Sequence, residues 1–269
     1  MTRYLIVNAD DFGLCEEITN GILKSYKQGI VTSTSVAVNG DYFNKSINLL
    51  KDSGIDAGIH LTFVGGEKPV SGPIDGLIDN NGLFLKTYGE IIPRLITGRF
   101  DKKALKKELH AQVSILKDAG IGLSHIDSHQ HLHLLPPLRT ILIDIANQFK
   151  IKWIRVPQSN LVTIGSMGIN ILGFLLKKRL SAQQLCSTNN FMGFENRGRI
   201  NEAVLLAKLQ NLKQGITELM VHPGYDASKR YDWGYSWEEE INGLTSETVK
   251  ELVKENGIVL TNFREIQLQ

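Results

Sequence analysis

The sequence predicts an α/β fold: a single (β/α) barrel-like domain, related to the TIM barrel, distorted, with seven or eight strands. Three observations carry this expectation. Short apolar runs alternate with segments of helical period along the chain, which is the βαβ pattern. The length of 269 residues is that of one α/β barrel. The polar residues capable of chemistry cluster at the ends of the apolar runs, and the C-terminal ends of parallel barrel strands are where such folds place their sites. With no Pro- or Ser-rich linker and no internal repeat, residues 1–269 are expected to form one domain. Two stretches, 64–100 and about 161–190, interrupt the alternation as insertions over the site.

Tyr4–Ala9 opens the chain as a strand ending at Asp10 and Asp11. Glu16–Gln28 sets Ile18, Ile22, Leu23 and Tyr26 on one helical face, and Gly29 stops it. Val31–Val38 is rich in β-branched residues and reads as the second strand. Tyr42–Asp52 reads as a helix and Ala57–Phe63 as the third strand. Val64–Phe100 holds Gly65-Gly66, Gly72-Pro73 and Pro93 and reads as a long irregular loop, a lid or substrate wall. Asp101 caps a helix running to Ala119, and Gly120 ends it. Ser124–Ser128 is a strand entering a histidine-rich loop, after which Pro136-Pro137 opens the helix Leu138–Phe149. Trp153–Val156 is the next strand.

Within Leu161–Asn190, the apolar run Gly168–Leu176 is too short to cross a bilayer. Followed by Lys177-Lys178-Arg179, it reads as a buried or capping helix whose cations suit its C-terminal dipole; the alternative is a helix lying in a membrane interface. Phe191–Phe194, Glu218–Val221 and Ile258–Phe263 complete the strands, with helices at Asn201–Asn211 and Ser246–Glu255 between them.

Composition narrows the function. Apolar residues make up 42% of the chain, charged residues 22%, and the formal net charge is +2. That balance offers no electrostatic case for nucleic acid or an anionic membrane. No integral membrane segment is expected. Cys15 and Cys186 are the two cysteines. So few thiols fit a reducing, cytoplasmic setting better than a disulfide framework.

Asp10 and Asp11 are adjacent carboxylates at a strand end, and their repulsion costs free energy unless a cation or a shared proton relieves it. A metal ion, a general base, or one of each would account for them. Six of the seven histidines lie at or near strand ends: His60, His125, His129, His131, His133 and His222; His110 sits on a helix. Aspartate plus imidazole is a ligand set for a divalent metal, and there is no CxxC pair to suggest a structural zinc. Along the fourth strand His125, Asp127 and His129 share a face while the strand lasts; single members of this cluster, His125 and His133 above all, read as supports or substrate contacts. His222, in His-Pro-Gly, is a general acid or part of a structural turn. Arg155 orients a catalytic carboxylate or makes an ordinary ion pair. Cys15 reads as a small helix-start residue. Tyr225, Tyr231, Trp233, Tyr235 and Trp237 fill core or stack on a sugar ring.

These pieces taken together resemble the YdjC-like (ChbG/HpnK) carbohydrate deacetylases. The matching segments are Asn8–Gly13 (NADDFG), Gly29–Ser35 (GIVTSTS), Gly58–Leu61 (GIHL), His125–His133 (HIDSHQHLH) and His222–Gly224 (HPG), in family order along nearly the whole chain. The resemblance implies a barrel-like fold, often a homodimer, that hydrolyses an N-acetyl group from an amino sugar. It implies one divalent metal, Mg²⁺ or Zn²⁺, on Asp11, His60 and His129, with Asp10 as general base and His222 as general acid. The set is also similar to that of NodB-type polysaccharide deacetylases, in which Arg155-Val-Pro157 would fill an Arg-x-Pro role; the metal histidines here lie far apart instead of in one H-x₃-H motif. The expected partner is an acetylated carbohydrate: an oligosaccharide, a sugar phosphate or a glycolipid head group. The alternatives are another metal-dependent barrel enzyme, such as a sugar isomerase or phosphoesterase, and a non-catalytic carbohydrate-binding protein.

Overall fold

The computed structural model describes residues 2–266. Eight strands form one all-parallel, curled sheet with helices outside it. In chain order they are β1 (Arg3–Phe12), β2 (Ser33–Val36), β3 (Asp56–Leu61), β4 (Leu123–Ser128), β5 (Trp153–Ile154), β6 (Asn190–Met192), β7 (Gly215–Val221) and β8 (Ile258–Leu260). Their spatial order is β5-β4-β3-β2-β1-β7-β6, with β8 paired to the start of β1. β8 and β2 divide one edge of β1: β8 takes Arg3 to Leu5 and β2 begins at Asn8. The path ends at the short strands β5 and β6, so the barrel is open between them.

The helices are α1 (Glu16–Gln28), α2 (Phe43–Ser53), α3 (Tyr88–Thr97), α4 (Lys102–Asp118), α5 (Pro136–Phe149), α6 (Ile164–Ala182), α7 (Glu202–Gln210), α8 (Trp237–Thr245) and α9 (Glu247–Glu255). Asp101 caps α4 as expected, its carboxylate accepting from the N–H groups of Lys103 and Ala104. Cys15 precedes α1 in the cap position, also as expected.

Four expectations change. β1 does not stop at Ala9; it runs on through both aspartates to Phe12, because a bulge keeps the chain paired with β2. The 64–100 stretch is not irregular throughout. It contains α3, started by a capping box in which Thr87 accepts from the Glu90 N–H and Glu90 accepts from the Thr87 N–H. Pro93 falls inside α3 and removes one donor without ending the helix. A helix, α8, occupies part of the aromatic stretch, carrying three acidic residues in its first turn, where the dipole favours them. The run Gly168–Leu176 lies in the 19-residue α6, of which only one side is buried.

Glycine makes room at two places near the strand ends. A Cβ on Gly58 would lie 2.5 Å from the His125 ring, so β3 must be bare there for that ring to sit inside the barrel. A Cβ on Gly21 would lie 2.4 Å from the Cα of Gly224, which is how α1 approaches the turn after His222. Gly58→Ala is therefore expected to destabilise the fold by about 1–3 kcal/mol, the usual cost of overpacking, read as a lower urea midpoint at unchanged slope.

Candidate metal and active site

The site begins with backbone geometry. Consecutive strand residues point to opposite sides of a sheet, so a regular β1 would separate Asp10 from Asp11. Against β2, Ala9 pairs with Thr34 and Phe12 with Val36. β1 therefore spends one more residue than its partner, a β-bulge. Asp11 sits at φ 76°, a left-handed conformation that non-glycine residues seldom adopt and that marks functional sites. The bulge turns both carboxylates into the mouth of the barrel.

Asp11 meets two imidazoles there. His60 comes from the end of β3, and His129 opens the 3-10 turn His129–Leu134 just past β4. Asp11 Oδ1, His60 Nε2 and His129 Nδ1 lie 3.3 Å apart in all three pairs. Adjacent ligands on one tetrahedral ion at about 2.1 Å stand about 3.4 Å apart. All three side chains are buried, and neither carboxylate oxygen of Asp11 has a hydrogen-bond donor. Such a cluster of lone pairs fits a divalent cation. Burial would push Asp11 up, but His129, His60 and His222 hold it below the usual carboxylate range. Burial would likewise push His60 down; the Asp127 carboxylate, with Asp10 and Asp11, carries it up to about 9.

Asp127 orients the first imidazole. His60 Nδ1 donates to Asp127 Oδ1 at 2.6 Å, which turns Nε2 toward Asp11 and His129, the usual support of a ligating histidine. Asp127 also faces Arg155 Nη1 at 2.8 Å and accepts from Ser35 Oγ at 2.8 Å.

Asp10 is held by Arg155, which follows β5. Arg155 Nη1 donates to Asp10 Oδ2 at 2.5 Å and Nη2 to Oδ1 at 2.7 Å, a two-point grip that fixes the carboxylate plane. Asn8, two residues earlier on the same side of β1, donates to Asp10 Oδ1 at 2.8 Å. Arg155 Nε donates to Glu218 Oε1 on β7 at 2.7 Å. Burial disfavours the guanidinium charge, and the three surrounding carboxylates outweigh that and hold it firmly charged. A second convergent group, Asp10, His60 and Asp127, is less suited to a metal, because both carboxylates already face Arg155 and His60 Nδ1 donates to Asp127.

His222 follows β7 directly. Its N–H donates to Glu240 Oε2 on α8 at 2.5 Å, and its Nδ1 has no hydrogen-bond partner. Burial pushes its pKa down against the pull of Asp10 and Asp11. Its ring centroid lies 4.9 Å from that of Tyr235. Trp233 stands 5.1 Å from His129 and joins Tyr231, Tyr235 and Trp237 in one aromatic group. Tyr231 and Trp237 are buried, while Trp233 and Tyr235 are half-exposed at the rim. Tyr225 lies apart and exposed, beneath Lys24.

Three further histidines lie beside the site. His125 contacts Ser35 Oγ at 2.9 Å and stacks on Phe263, with burial pushing its pKa down to about 3. His133 bridges Ser128 Oγ and the Arg155 carbonyl, and burial lowers it to about 4. His131 is half-buried beside Phe191 and Phe194, and desolvation pushes its pKa down. Burial pushes the Cys15 thiol up to about 12, away from the thiolate form, and both cysteines are unpaired.

The structure thus brings together Asp10, Asp11, His60, His129, Arg155 and His222. Ser35, Glu218 and Glu240 received no role from sequence reasoning. Glu218 had a signal: a lone acid within an apolar strand. A cavity of about 540 Å³ beside β6 and α7 is lined by Gln158, Asn160, Asn190 and Asn196 among others and shares Phe191, which stacks near Arg155, with the site.

A model of the YdjC-like protein family matches residues 4–255, and the chain belongs to that family. A relative from Clostridium beijerinckii, named carbohydrate deacetylase, is 30% identical over 268 residues, covering 97% of this chain and 99% of that protein. A second, from Thermoanaerobacter pseudethanolicus and of the same name, is 28% identical over 269 residues, covering 97% and 98%. A crystal structure from Enterococcus faecalis V583, named for cellobiose-phosphate cleavage, superposes at a TM-score of 0.82 over 100% of both chains with 24% identity. At that identity the likeness speaks for the fold: a parallel, open and distorted TIM-like barrel.

Glu218 links the site to pH. Burial raises it from 4.5 to about 7 against the pull of Arg155. An acid raised in the folded state stabilises most below its unfolded pKa, and that contribution is lost as pH rises through 7. Glu218→Gln keeps an acceptor for Arg155 Nε and removes the titration. Relative to wild type, the variant is expected to gain up to about 3 kcal/mol between pH 4.5 and pH 8, measured by urea unfolding across that range.

Proposed function

We propose that the protein is a metal-dependent carbohydrate deacetylase that removes the N-acetyl group of an amino sugar. The chain is a carbohydrate deacetylase by family, a hydrolase of an amide bond. The observation that supports metal dependence is the triangle of ligand atoms on Asp11, His60 and His129, set beside a carboxylate, Asp10, that Arg155 grips at both oxygens.

In this reading Asp11, His60 and His129 hold one divalent cation. Two imidazoles and a carboxylate suit Zn²⁺ and its neighbours better than Mg²⁺. When bound, the ion acidifies a water and polarises the acetyl carbonyl. Asp127 keeps His60 in the tautomer that offers Nε2. Asp10 accepts the proton of the attacking water, its plane fixed by Arg155 and Asn8. His222 delivers a proton to the departing amine, so the products are acetate and a free amino sugar. Glu240 sets the backbone from which the His222 ring reaches the site. Trp233 and Tyr235 offer flat apolar faces to the C–H side of the ring. The acceptor and donor amides of the neighbouring cavity suit further hydroxyl groups of an oligosaccharide. The expected assembly is a homodimer.

Acetate release from N-acetylated oligosaccharides, with elemental analysis of the purified protein, tests the reading. Asp11→Ala and His129→Ala are expected to bring bound metal to background; full occupancy in both would remove the proposed ligand set. Asp127→Asn is expected to weaken metal binding about 10–100-fold, as loss of a histidine's orienting carboxylate does. Asp10→Asn is expected to retain metal and lower kcat by about 10²–10⁴. Undiminished turnover in that variant would end its assignment as the base.

A further inference from the structure

Seven of the twelve exposed large apolar side chains among the described residues fall between Leu161 and Leu175, in the approach to α6 and its first turns. The inner side of α6 is apolar as well, with Gly173, Leu176 and Leu180 buried. A helix apolar on every side is normally covered on every side; here the outer side is bare. Ile164, Met167, Ile171 and Phe174 recur at intervals of three or four, which places them in one stripe. Lys178 continues that stripe.

Shape, charge and position identify what covers it. Val162 is 94% exposed and Ile164 91%, so the tip is convex and touches almost nothing of its own chain. Residues 161–176 contain no charged side chain, and Lys177-Lys178-Arg179 follow at once, with Lys178 and Arg179 exposed. Glu195 reaches only the edge of the segment, where it accepts the Asn160 N–H. The segment also leaves the end of β5 that carries Arg155, so it borders the end of the sheet that holds the site. No helix among the described residues is long and apolar enough to cross a membrane.

We propose that this face docks the protein on an anionic lipid bilayer. Val162, Ile164, Ile171 and Phe174 enter the boundary between head groups and acyl chains, and Lys178 and Arg179 meet the lipid phosphates. A fluid apolar layer accepts a convex tip that a flat protein partner would not enclose. The flanking cations add about 1 kcal/mol each near an anionic surface, and shallow insertion of an apolar face supplies the remainder. Docking is independent of the deacetylase reading, since it uses none of the residues assigned to the reaction.

The experiment is co-sedimentation of the full chain with vesicles of phosphatidylcholine alone and of phosphatidylcholine mixed with an equal part of phosphatidylglycerol. Binding to the mixed vesicles is expected to be roughly tenfold to thirtyfold the stronger, from two cations, and to fall with added salt. Ile171→Asp with Phe174→Asp is expected to reduce it about tenfold or more. Val162→Asp, in the loop and without neighbours to disturb, is expected to act in the same direction with circular dichroism unchanged. Failure to sediment with the mixed vesicles would overturn the proposal, as would sedimentation indifferent to all three aspartates. Dimers in gel filtration that the same substitutions split, with no vesicle binding, would assign the face to a second copy of the chain.

Discussion

Everything at the mouth of the barrel depends on the extra residue in β1. In a regular strand one of the two adjacent carboxylates would face the helices, buried without a partner, and the site would have half its acid chemistry. The left-handed backbone at Asp11 costs of order 1–3 kcal/mol. It is held between two fixed points: β1 is paired on both sides as far as Ala9, by β7 on one and by β8 and then β2 on the other, and Phe12 rejoins β2 at Val36. The central strand is the most constrained place in the sheet, and that is where the strain is kept.

The second organising element is charge arithmetic around one guanidinium. Arg155 faces Asp10, Asp127 and Glu218 in a space closed to water. Three carboxylates against one cation leave the interior deficient in positive charge. The deficit shows in His60, carried up to about 9, and it adds to the burial that moves Glu218 up toward neutrality. A divalent ion between Asp11, His60 and His129, as proposed above, would answer the same deficit. The acidic and basic residues form one connected network in which Asp127 touches both halves, the imidazole on one side and the arginine that grips Asp10 on the other. Changing one of these groups alters the others, so effects of paired substitutions are not expected to add.

Much of this was legible in the sequence. The alternation of elements gave the parallel barrel, and the polar residues at strand ends named Asp10, Asp11, His60, His129, Arg155 and His222. What the chain did not display was direction. No glycine or proline at position 11 announces the bulge, so the strand seemed to end at Ala9. Asp127 was visible as a member of a cluster, yet its dual contact arises from β3, β4 and β5 lying side by side, which no local pattern encodes. The α3 capping box at Thr87 and Glu90 lies in a stretch that reads as a loop from its glycines and prolines, Pro93 among them, residues usually taken as breakers. For α6 the apolar run suggested burial, because periodicity reports which residues are apolar and not whether a neighbour exists to cover them.

The incomplete closure of the barrel has a consequence for solubility. An open sheet keeps two unpaired edges, each a row of free backbone donors and acceptors that another chain could extend. Here the two ends of the path are short strands, two residues in β5 and three in β6, and β8, paired to β1 alone, is three residues long as well. The β5 edge is further occupied by the chain itself, where Trp153 bridges Cys186 in parallel register. A template this brief offers too few hydrogen bonds to recruit a foreign strand, so the molecule can leave its barrel unsealed without inviting edge-to-edge association.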